Sequence, residues 1–453
     1  MNPEIFREYD IRGIADKEIP DEDAELVGKA FGTIIHNNGG SEIVVGKDNR
    51  KSGPRITKAL LKGIASTGIS VIFVGEVSTP EFYYAVHTLN ADGGISVTAS
   101  HNPPQYNGFK AMVGKKAIYG EEIKNIYNVA QKRKFANGKG KISEKNIDEE
   151  YIGAIASRVK VKRKVKLVID AGNGMASELA PALLKKLGCE VSCLYCEKDA
   201  NFPNHLPDPV KEENMMDLQK KVLAEKAEFG IGFDGDADRL GVIDEKGNLI
   251  YGDRLLGLLA KDALQRNKGA KVIFEVKCSM ALEEWVRKNG GIPIMWKTGH
   301  SLIKAKIKEE NAIIAGEMSG HMYFAENWFG FDDALLAAAK VVEIASNSNK
   351  KMSELINEMP SYFASPEYSI DFPDAEKFAF VKRAQDHFRK KYRVIDVDGA
   401  RIIFENGWGL IRASNTQPKI IMRFEGKTKK DLEKVKSEIL EEMESFSGKK
   451  IAL

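Results

Sequence analysis

Three aspartates alternate along one short segment of the sequence, with the spacing of a metal-binding loop. Asp234, Asp236 and Asp238 lie in DGDADR, directly after the apolar stretch EFGIGF. Carboxylates at alternate positions of a loop that leaves a strand can converge on one hard cation, and Mg²⁺ suits such a site because it keeps open positions for phosphate oxygens. An EF-hand fits poorly, since Arg239 occupies its glycine position and the flanks resemble strands. A solvated acidic turn stays open as the alternative.

A second polar segment, TASHNPPQYNGFK, places a serine beside a histidine. Ser100 and His101 are adjacent, and Lys110 follows downstream. A serine nucleophile needs a neighbouring base or electrophile. If the three aspartates hold a metal near Ser100, phosphoryl chemistry at its hydroxyl becomes accessible. The alternative is a serine-rich turn that its own hydroxyls cap.

Two further motifs have the composition of sugar and phosphate sites. GEMSGH supplies Glu317, Ser319 and His321, whose carboxylate and hydroxyl can bind vicinal sugar hydroxyls. RASNTQP combines an arginine with hydroxyl and amide groups, as phosphate sites do. Its candidate residues are Arg412, Ser414, Asn415 and Thr416, with Arg423 on the following strand. An ordinary loop and a plain hairpin turn remain the alternatives.

A degenerate internal repeat supplies the elements that must position these motifs. Three segments each consist of an apolar strand, a loop, an amphipathic helix, a glycine and a second apolar strand. They begin at EIVVGKDNR, KLVIDAGNG and KVIFEVKCS. Continuous β-branched runs that alternate with helices indicate βαβ units and mainly parallel sheets. The last 90 or so residues alternate like an antiparallel meander and end in a charged amphipathic helix.

The repeats predict an α/β fold with three similar mixed α/β domains in tandem and a smaller C-terminal α+β domain. In each repeat a further apolar stretch leads into one motif: GGISV into TASHNPP, EFGIGF into DGDADR, and NAIIAG into EMSGH. Because chemistry in such sheets lies beyond the carboxyl ends of strands, the motifs should meet in one composite site. The predicted domains are 1–145 with the serine loop, 146–248 with the metal loop, 249–360 with the sugar loop and 361–453 with the phosphate loop.

Size and charge narrow the class of protein. A chain of 453 residues should form two to four domains. The 68 basic and 65 acidic residues give a net charge of only +3, which argues against a nucleic-acid binder. The basic segment 158–166 fits a solvated approach to the second sheet. No apolar run is long enough to span a membrane. Four cysteines are too few for a disulfide framework, and Cys193 and Cys196 are expected to be buried thiols in a reducing cytoplasm.

Taken together and in order, the motifs resemble the α-D-phosphohexomutase superfamily, closest to its bacterial and archaeal phosphomannomutase/phosphoglucomutase group. FREYDIRG at 6–13 resembles the family's opening segment, and the four later motifs resemble its phosphoserine, metal, sugar and phosphate loops. The resemblance covers the whole chain. Ala237 stands where many relatives have glycine, and Gln417 replaces a frequent Glu or Thr; neither change removes a ligand group.

The resemblance implies a role for each candidate residue. Ser100 is the phosphorylated serine, and it lies at the Mg²⁺ that Asp234, Asp236 and Asp238 bind. His101, Lys110 and Arg239 support proton and phosphoryl transfer. The implied substrate contacts are Tyr9, Arg12, Lys277, His300, Glu317, Ser319, His321, Arg412, Ser414, Asn415, Thr416 and Arg423.

The sequence therefore predicts a cytoplasmic phosphohexomutase that interconverts hexose 1-phosphate and hexose 6-phosphate, with mannose or glucose as the sugar. Its expected cofactor is Mg²⁺, and hexose 1,6-bisphosphate is the expected intermediate and activator. The expected partners are small sugar phosphates, with neither nucleic acid nor membrane, and the oligomeric state stays open and compatible with a monomer. The alternatives are a phosphoglucosamine mutase, a metal-dependent sugar phosphatase and a non-catalytic sugar-phosphate sensor.

Overall fold

The computed structural model describes residues 1–415 and 417–447, and the predicted repeat is visible in it as three sheets with one topology. In each sheet a central parallel strand pairs with two further parallel strands, and an antiparallel strand closes one side. The predicted α/β class is confirmed. The antiparallel strand was not predicted. It pairs with the parallel strand that precedes it in the chain, so each motif forms the loop between these two strands.

The first sheet has the order β1-β5-β4-β2-β3-β7, with β6 paired to β5. Its strands are β1 (Ile11–Ile14), β2 (Glu42–Lys47), β3 (Ser70–Glu76), β4 (Gly93–Val97), β5 (Tyr106–Val113), β6 (Lys116–Ala117) and β7 (Ile142–Glu144). Its helices are α1 (Ala15–Glu18), α2 (Asp21–Asn37), α3 (Gly53–Ala65), α4 (Thr79–Thr88) and α5 (Glu121–Lys132), after a short 3₁₀ helix at Pro3–Ile5. Ser78 and Glu81 form a capping box that starts α4.

The second sheet has the order β12-β11-β10-β8-β9. Its strands are β8 (Lys166–Asp170), β9 (Glu190–Leu194), β10 (Phe229–Phe233), β11 (Leu240–Asp244) and β12 (Leu249–Ile250). The helices around it are α6 (Asp148–Ala156), α7 (Ala176–Lys186) and α8 (Glu212–Glu225). Because β12 pairs with β11 just beyond residue 248, we propose that the second domain extends through Ile250. The other predicted boundaries are kept as proposals.

The third sheet has the order β14-β13-β15-β16. Its strands are β13 (Lys271–Glu275), β14 (Ile292–Trp296), β15 (Ile314–Gly316) and β16 (Met322–Phe324). Its helices are α9 (Gly252–Arg266), α10 (Met280–Lys288), α11 (His300–Glu310), α12 (Ala334–Ser346) and α13 (Met352–Ile356). The strands β4, β10 and β15 therefore hold equivalent positions in the three sheets, and all three are fully buried.

The C-terminal unit is the predicted antiparallel α+β domain. Its sheet has the order β17-β22-β21-β20-β19, with β18 also paired to β22. The strands are β17 (Phe363–Ala364), β18 (Tyr368–Asp371), β19 (Arg393–Ile395), β20 (Ala400–Phe404), β21 (Gly407–Ala413) and β22 (Lys419–Gly426). The helices are α14 (Lys377–Phe388) and α15 (Lys429–Ser447), the latter at the predicted charged segment.

The hydrophobic core is continuous from the second unit into the third and reaches the first through α4. The C-terminal unit has its own core and meets the third unit through Val276, Trp408 and Leu410. At that junction the buried Arg401 guanidinium stacks on the Trp408 ring at 3.6 Å and donates to the carbonyl of Cys278 at 2.8 Å. The C-terminal unit is thus attached through a smaller contact than the other three.

The cysteines differ in part from expectation. Cys189 and Cys278 are buried thiols, but Cys193 is exposed and Cys196 is only partly covered, because β9 is an edge strand of its sheet. All four are free. Within residues 1–415 and 417–447, no helix is both long and apolar enough to cross a bilayer.

Two glycines allow α2 and α3 to pack closely. A Cβ at Gly63 would lie 2.2 Å from the carbonyl oxygen of Glu25, and one at Gly28 would lie 2.4 Å from that of Leu60. Both contacts are with backbone, which cannot move without separating the helices. Gly153 in α6 is different, since a Cβ there would meet nothing within 4 Å.

These two helical glycines should respond oppositely to alanine. Gly63→Ala should destabilise the protein by about 1–3 kcal/mol through overpacking. Gly153→Ala should stabilise it by about 0.5–1 kcal/mol, because alanine favours the helix and nothing opposes it. Urea unfolding midpoints measure both, and equal midpoints for the two variants would contradict the close α2–α3 packing.

Candidate active site

The three motif loops follow equivalent strands and meet at one cleft. The serine loop connects β4 to β5, the aspartate loop connects β10 to β11, and the GEMSGH loop connects β15 to β16. The cleft has a volume of about 590 Å³ and is closed on one side by Gln417 and Pro418 of the C-terminal unit. The predicted residues that line it are Tyr9, Arg12, Ser100, His101, Lys110, Arg239, His300, Glu317, Ser319 and His321.

Ser100 is held in an unusual backbone conformation at the base of this cleft. Its φ is +48°, a left-handed value that non-glycine residues seldom adopt. Its hydroxyl donates to a carboxylate oxygen of Asp234 at 2.7 Å and lies 3.1 Å from Nδ1 of His101. Its amide donates to the Thr98 hydroxyl at 2.9 Å. The oxygen is therefore fixed between a carboxylate and an imidazole.

The three aspartates form the most buried charged cluster of the site. Asp234, Asp236 and Asp238 have no exposed surface, and one ligand oxygen from each lies within 4.8 Å of the others. Lys110 crosses from the first unit to donate to Asp236 at 2.8 Å and to Asp238 at 2.5 Å. The Thr79 hydroxyl also donates to Asp236, at 2.6 Å.

The carboxyl groups of this cluster have very different proton affinities. Burial, together with the charges of Asp238 and Asp236, raises the pKa of Asp234 well above its usual value. Burial also opposes ionisation of Asp236, but the Lys110 ammonium outweighs it and lowers the pKa of that carboxyl. The same pairing raises the pKa of Lys110 well above its usual value despite its burial. The single positive charge of Lys110 is therefore too small to neutralise three carboxylates.

The cluster fits a hard divalent cation. One buried oxygen of Asp236 and one of Asp238 have no hydrogen-bond partner within the described residues. A buried, unpaired carboxylate oxygen is costly unless a cation takes it. With Asp234 the donor set consists only of oxygens, which Mg²⁺ and other hard cations prefer. The residues present therefore fit a metal, with the Ser100 hydroxyl beside it.

Arg239 and the GEMSGH loop hold each other in place. Nε of Arg239 donates to Nε2 of His321 at 2.9 Å. The Glu317 carboxylate accepts the Gly299 amide at 2.8 Å and the Tyr323 hydroxyl at 2.5 Å. Ser319 is half-buried beside the cleft. The second and third units thus share one polar wall.

The predicted phosphate loop lies opposite the serine. Asn415 donates to the Tyr9 hydroxyl at 2.5 Å, and Tyr9 donates to the carbonyl of Thr298 at 2.8 Å. Arg412 donates from Nε to Asp398 at 2.6 Å. The Ser414 hydroxyl accepts the Gln417 amide at 3.1 Å. The predicted residue Thr416 lies outside the described residues.

Three predicted cations surround one acidic residue beside the phosphate loop, and none of the three lines the cleft itself. Lys277 pairs with Glu367 at 3.1 Å, and Arg423 donates to the carbonyl of Lys277 at 3.1 Å. Burial would raise the pKa of Glu367, but the charges of Lys277, Arg423 and Arg412 lower it. These three residues therefore form one basic cluster, although they come from two units of the chain. Glu367 was not predicted and partly neutralises it.

Comparison with known proteins agrees with this arrangement. Family models described as phosphoglucomutase/phosphomannomutase match the chain in order: alpha/beta/alpha domain I at 3–137, domain II at 149–247, domain III at 251–363 and the C-terminal domain at 367–442. The chain belongs to the phosphoglucomutase/phosphomannomutase family. The resemblance seen in the sequence is confirmed.

Named relatives match the chain over nearly its whole length. The phosphomannomutase/phosphoglucomutase of Pseudomonas aeruginosa is 44% identical over 434 residues, which are 96% of this chain and 94% of that protein. The phosphoglucomutase of Neisseria gonorrhoeae is 44% identical and covers 98% of this chain and 97% of its own. A solved phosphoglucomutase/phosphomannomutase family protein of Burkholderia thailandensis has 40% identity and a TM-score of 0.92, with 98% of each chain covered.

Arg50 supports the serine loop, a role that was not predicted from the sequence. Its guanidinium has no exposed side-chain surface and donates to four carbonyls of the serine loop. These belong to Ser100 at 2.7 Å, Asn102 at 2.6 Å, Pro103 at 2.7 Å and Tyr106 at 3.1 Å. A planar group with five donors can hold four carbonyls in one geometry, which a lysine ammonium cannot. Arg50 thus fixes the loop that presents the Ser100 hydroxyl.

Loss of this guanidinium should misplace the serine. Arg50→Lys should lower kcat by roughly 10- to 100-fold, since a shift of about 1 Å at a reacting group costs on that order. Arg55→Lys is the matched control, because Arg55 lies shortly after Arg50, in helix α3, and forms surface ion pairs with Asp16 and Asp21. Steady-state kinetics on purified variants measure the effect, and similar kcat values for both would refute this role of Arg50.

Proposed function

We propose that the chain interconverts the 1-phosphate and 6-phosphate of a hexose, mannose or glucose, through a phosphorylated Ser100. Phospho-Ser100 gives its phosphoryl group to the free hydroxyl of the substrate, and a hexose 1,6-bisphosphate forms. The bisphosphate reorients within the cleft, and its other phosphoryl group returns to Ser100. The bonds formed and broken balance, since each transfer exchanges one O–P bond for another.

The observation that carries the proposal is the position of the Ser100 oxygen. It lies 2.7 Å from Asp234, within a buried carboxylate cluster that fits a cation, and it lines the same cleft as the sugar and phosphate loops. Phosphoryl transfer is chiefly a matter of positioning and charge neutralisation. A phosphatase needs a metal site too, but it does not need a second basic cluster at the far end of the cleft.

Asp234, Asp236 and Asp238 would hold the metal, and we propose Mg²⁺ as the ion. When bound, it supplies positive charge to the phosphoryl oxygens at Ser100. Lys110, from the first unit, pairs with Asp236 and Asp238 and neutralises part of their charge. Arg239 extends the positive field toward the cleft, and His321 fixes the direction of its guanidinium.

His101 is positioned to contact the Ser100 oxygen as a neutral imidazole. Burial and the charges of Arg239 and Arg12 keep its pKa well below the usual value, so the imidazole is neutral. Its Nδ1 lies 3.1 Å from the Ser100 oxygen, within reach of the proton that this oxygen gains or loses. Arg12 donates to the Asn102 side chain at 2.7 Å, which places its charge beside the same loop.

The far end of the cleft is proposed to bind the phosphate that is not reacting. Arg412, Lys277 and Arg423 supply charge there, and Ser414, Asn415 and Thr416 supply hydroxyl and amide groups. Glu317, Ser319, His300 and Tyr9 are proposed to contact the sugar between the two ends. Because both ends bind phosphate, the hexose bisphosphate can bind in either orientation, which is what a mutase requires.

The names of the relatives favour mannose and glucose over glucosamine as the sugar. Hexose 1,6-bisphosphate is proposed as the activator that restores phosphate to Ser100. We propose the cytoplasm as the location, because the four free thiols suit a reducing compartment.

The phosphoserine is tested directly by mass and activity. The purified protein should carry one phosphate on the peptide that contains Ser100, and it should form glucose 6-phosphate from glucose 1-phosphate in a coupled assay. Ser100→Ala should abolish nearly all turnover, while Ser66→Ala, at the half-buried C-cap of α3 and outside the cleft, should not. An active Ser100→Ala enzyme, or a protein that no bisphosphate can phosphorylate, would disprove the mechanism.

The metal is tested by its removal. Excess EDTA should stop turnover, and added Mg²⁺ should restore it. Asp236→Asn should raise the Mg²⁺ concentration for half-maximal activity by at least about tenfold, since it removes one of three negative charges from the ion. Asp217→Asn, at a surface position, is the control. Full activity in EDTA would contradict the metal site.

A further inference from the structure

Two histidines of the cleft are connected through one buried carboxylate and a lysine. The rings of His300 and His321 lie 5.8 Å apart, and both line the cleft. Asp332, which has no exposed surface, lies 2.9 Å from Nδ1 of His321 through one oxygen. Its other oxygen accepts the ammonium of Lys304 at 2.8 Å. Lys304 is one helical turn from His300 in α11, so the two side chains share a face of that helix.

The Lys304 ammonium uses its three N–H groups on three acceptors. Besides Asp332, these are the Tyr83 hydroxyl at 3.0 Å and Nδ1 of His300 at 3.1 Å. Burial alone would lower the pKa of Lys304, but the adjacent Asp332 carboxylate, with Tyr83, raises it, so the group stays charged. An ammonium has donors and no lone pair. Nδ1 of His300 must therefore be the acceptor and carry no proton.

His300 is consequently neutral with its proton on Nε2. Burial and the Lys304 charge lower its pKa well below the usual value. With Nδ1 occupied by Lys304, Nε2–H is the group left for a ligand in the cleft. Such a histidine donates a hydrogen bond to an oxygen and cannot accept a proton from it.

His321 has the opposite tautomer. Nε of Arg239 can only donate, so Nε2 of His321 must be an acceptor and Nδ1 must carry the ring proton. Nδ1 lies 2.9 Å from an oxygen of Asp332, but the two atoms are not aligned for a hydrogen bond. Asp238, His321 and Asp332 also lie close enough to suggest a second metal site. A metal on Nδ1 would require the proton on Nε2, where it would oppose the N–H of Arg239. The Arg239 contact thus opposes a cation bound through Nδ1 of His321.

We propose that Lys304, held by Asp332, is a positioning residue that fixes His300 as the Nε2–H tautomer, so that His300 is a hydrogen-bond donor to a substrate oxygen and is not the base of the reaction. The inference rests on the proposed function for the identity of that oxygen, a sugar hydroxyl or a phosphate. The tautomer itself depends only on the contacts of this protein's own residues.

The tautomer can be observed without turnover. Long-range ¹H–¹⁵N spectra of the protein labelled with ¹⁵N-histidine distinguish protonated from unprotonated ring nitrogens, and His300→Gln identifies the His300 signals. The wild type should show a protonated Nε2 and an unprotonated Nδ1. Lys304→Met should mix or reverse the two states, Lys304→Arg should largely restore them, and Lys308→Met, an exposed position of α11, should leave them unchanged.

A double-mutant cycle separates positioning from general damage. Lys304→Met should lower kcat/KM by roughly 10- to 100-fold, the range for one hydrogen bond to a charged group. A glutamine amide can replace the Nε2–H donor and cannot change tautomer. In the His300→Gln background, Lys304→Met should therefore cost much less than in the wild type. A purely structural role of Lys304 would give the same loss in both backgrounds.

The His300 tautomer and the proposed function can fail independently. A wild-type His300 that is protonated on Nδ1 or on both nitrogens would overturn it, as would an unchanged tautomer in Lys304→Met or equal losses in the two backgrounds. Asp332→Asn supplies a second variant if Lys304→Met does not fold, and it should also release the tautomer. A wild-type protein without mutase activity would refute the proposed function, while the spectra would still decide the tautomer.

Discussion

The structure depends on the burial of opposite charges from two domains at one point. Asp236 and Asp238 belong to the second sheet, and the ammonium that pairs with both comes from Lys110 on β5 of the first. A buried carboxylate that lost this partner would be destabilising by several kcal/mol, on the order of 3–5. Neither domain can therefore present its half of the site without the other, and the cleft exists only when the two are docked.

Backbone contacts between loops reinforce this docking. The Thr79 amide donates to the carbonyl of Asp236 at 2.9 Å, and the Leu240 amide donates to that of Gly320 at 3.2 Å. The first contact joins the start of α4 to the aspartate loop, and the second joins the start of β11 to the GEMSGH loop. The C-terminal unit differs, since it has a separate core and lines the cleft through Gln417 and Pro418, while Asn415 contacts Tyr9 of the first unit. It contributes no residue to the charged cluster of Lys110, Asp236 and Asp238.

The sequence predicted the parts of the site that follow strands and missed the parts that support them. The motif loops were recognisable because polar residues end abruptly after apolar runs such as EFGIGF and GGISV. Arg50 also follows a strand, β2, so the same rule could have found it; its four acceptors lie 50 or more residues away and leave no local pattern. The role of Asp332 was not predicted because FDDALL has the pattern of an ordinary helix start. Asp333 does have that role, since it caps α12.

Electrostatics also connects the proposed phosphoserine to the proposed metal. A phosphoryl group on Ser100 adds roughly 1.5–2 negative charges, at an oxygen now 2.7 Å from Asp234. Lys110 already donates hydrogen bonds to Asp236 and Asp238, and the contact with His321 holds Arg239 at the cleft. Lys110 cannot leave its partners without exposing two buried carboxylates. In the proposed phosphorylated state a divalent cation is therefore a condition for keeping phosphate and three aspartates together, and not only an aid to transfer.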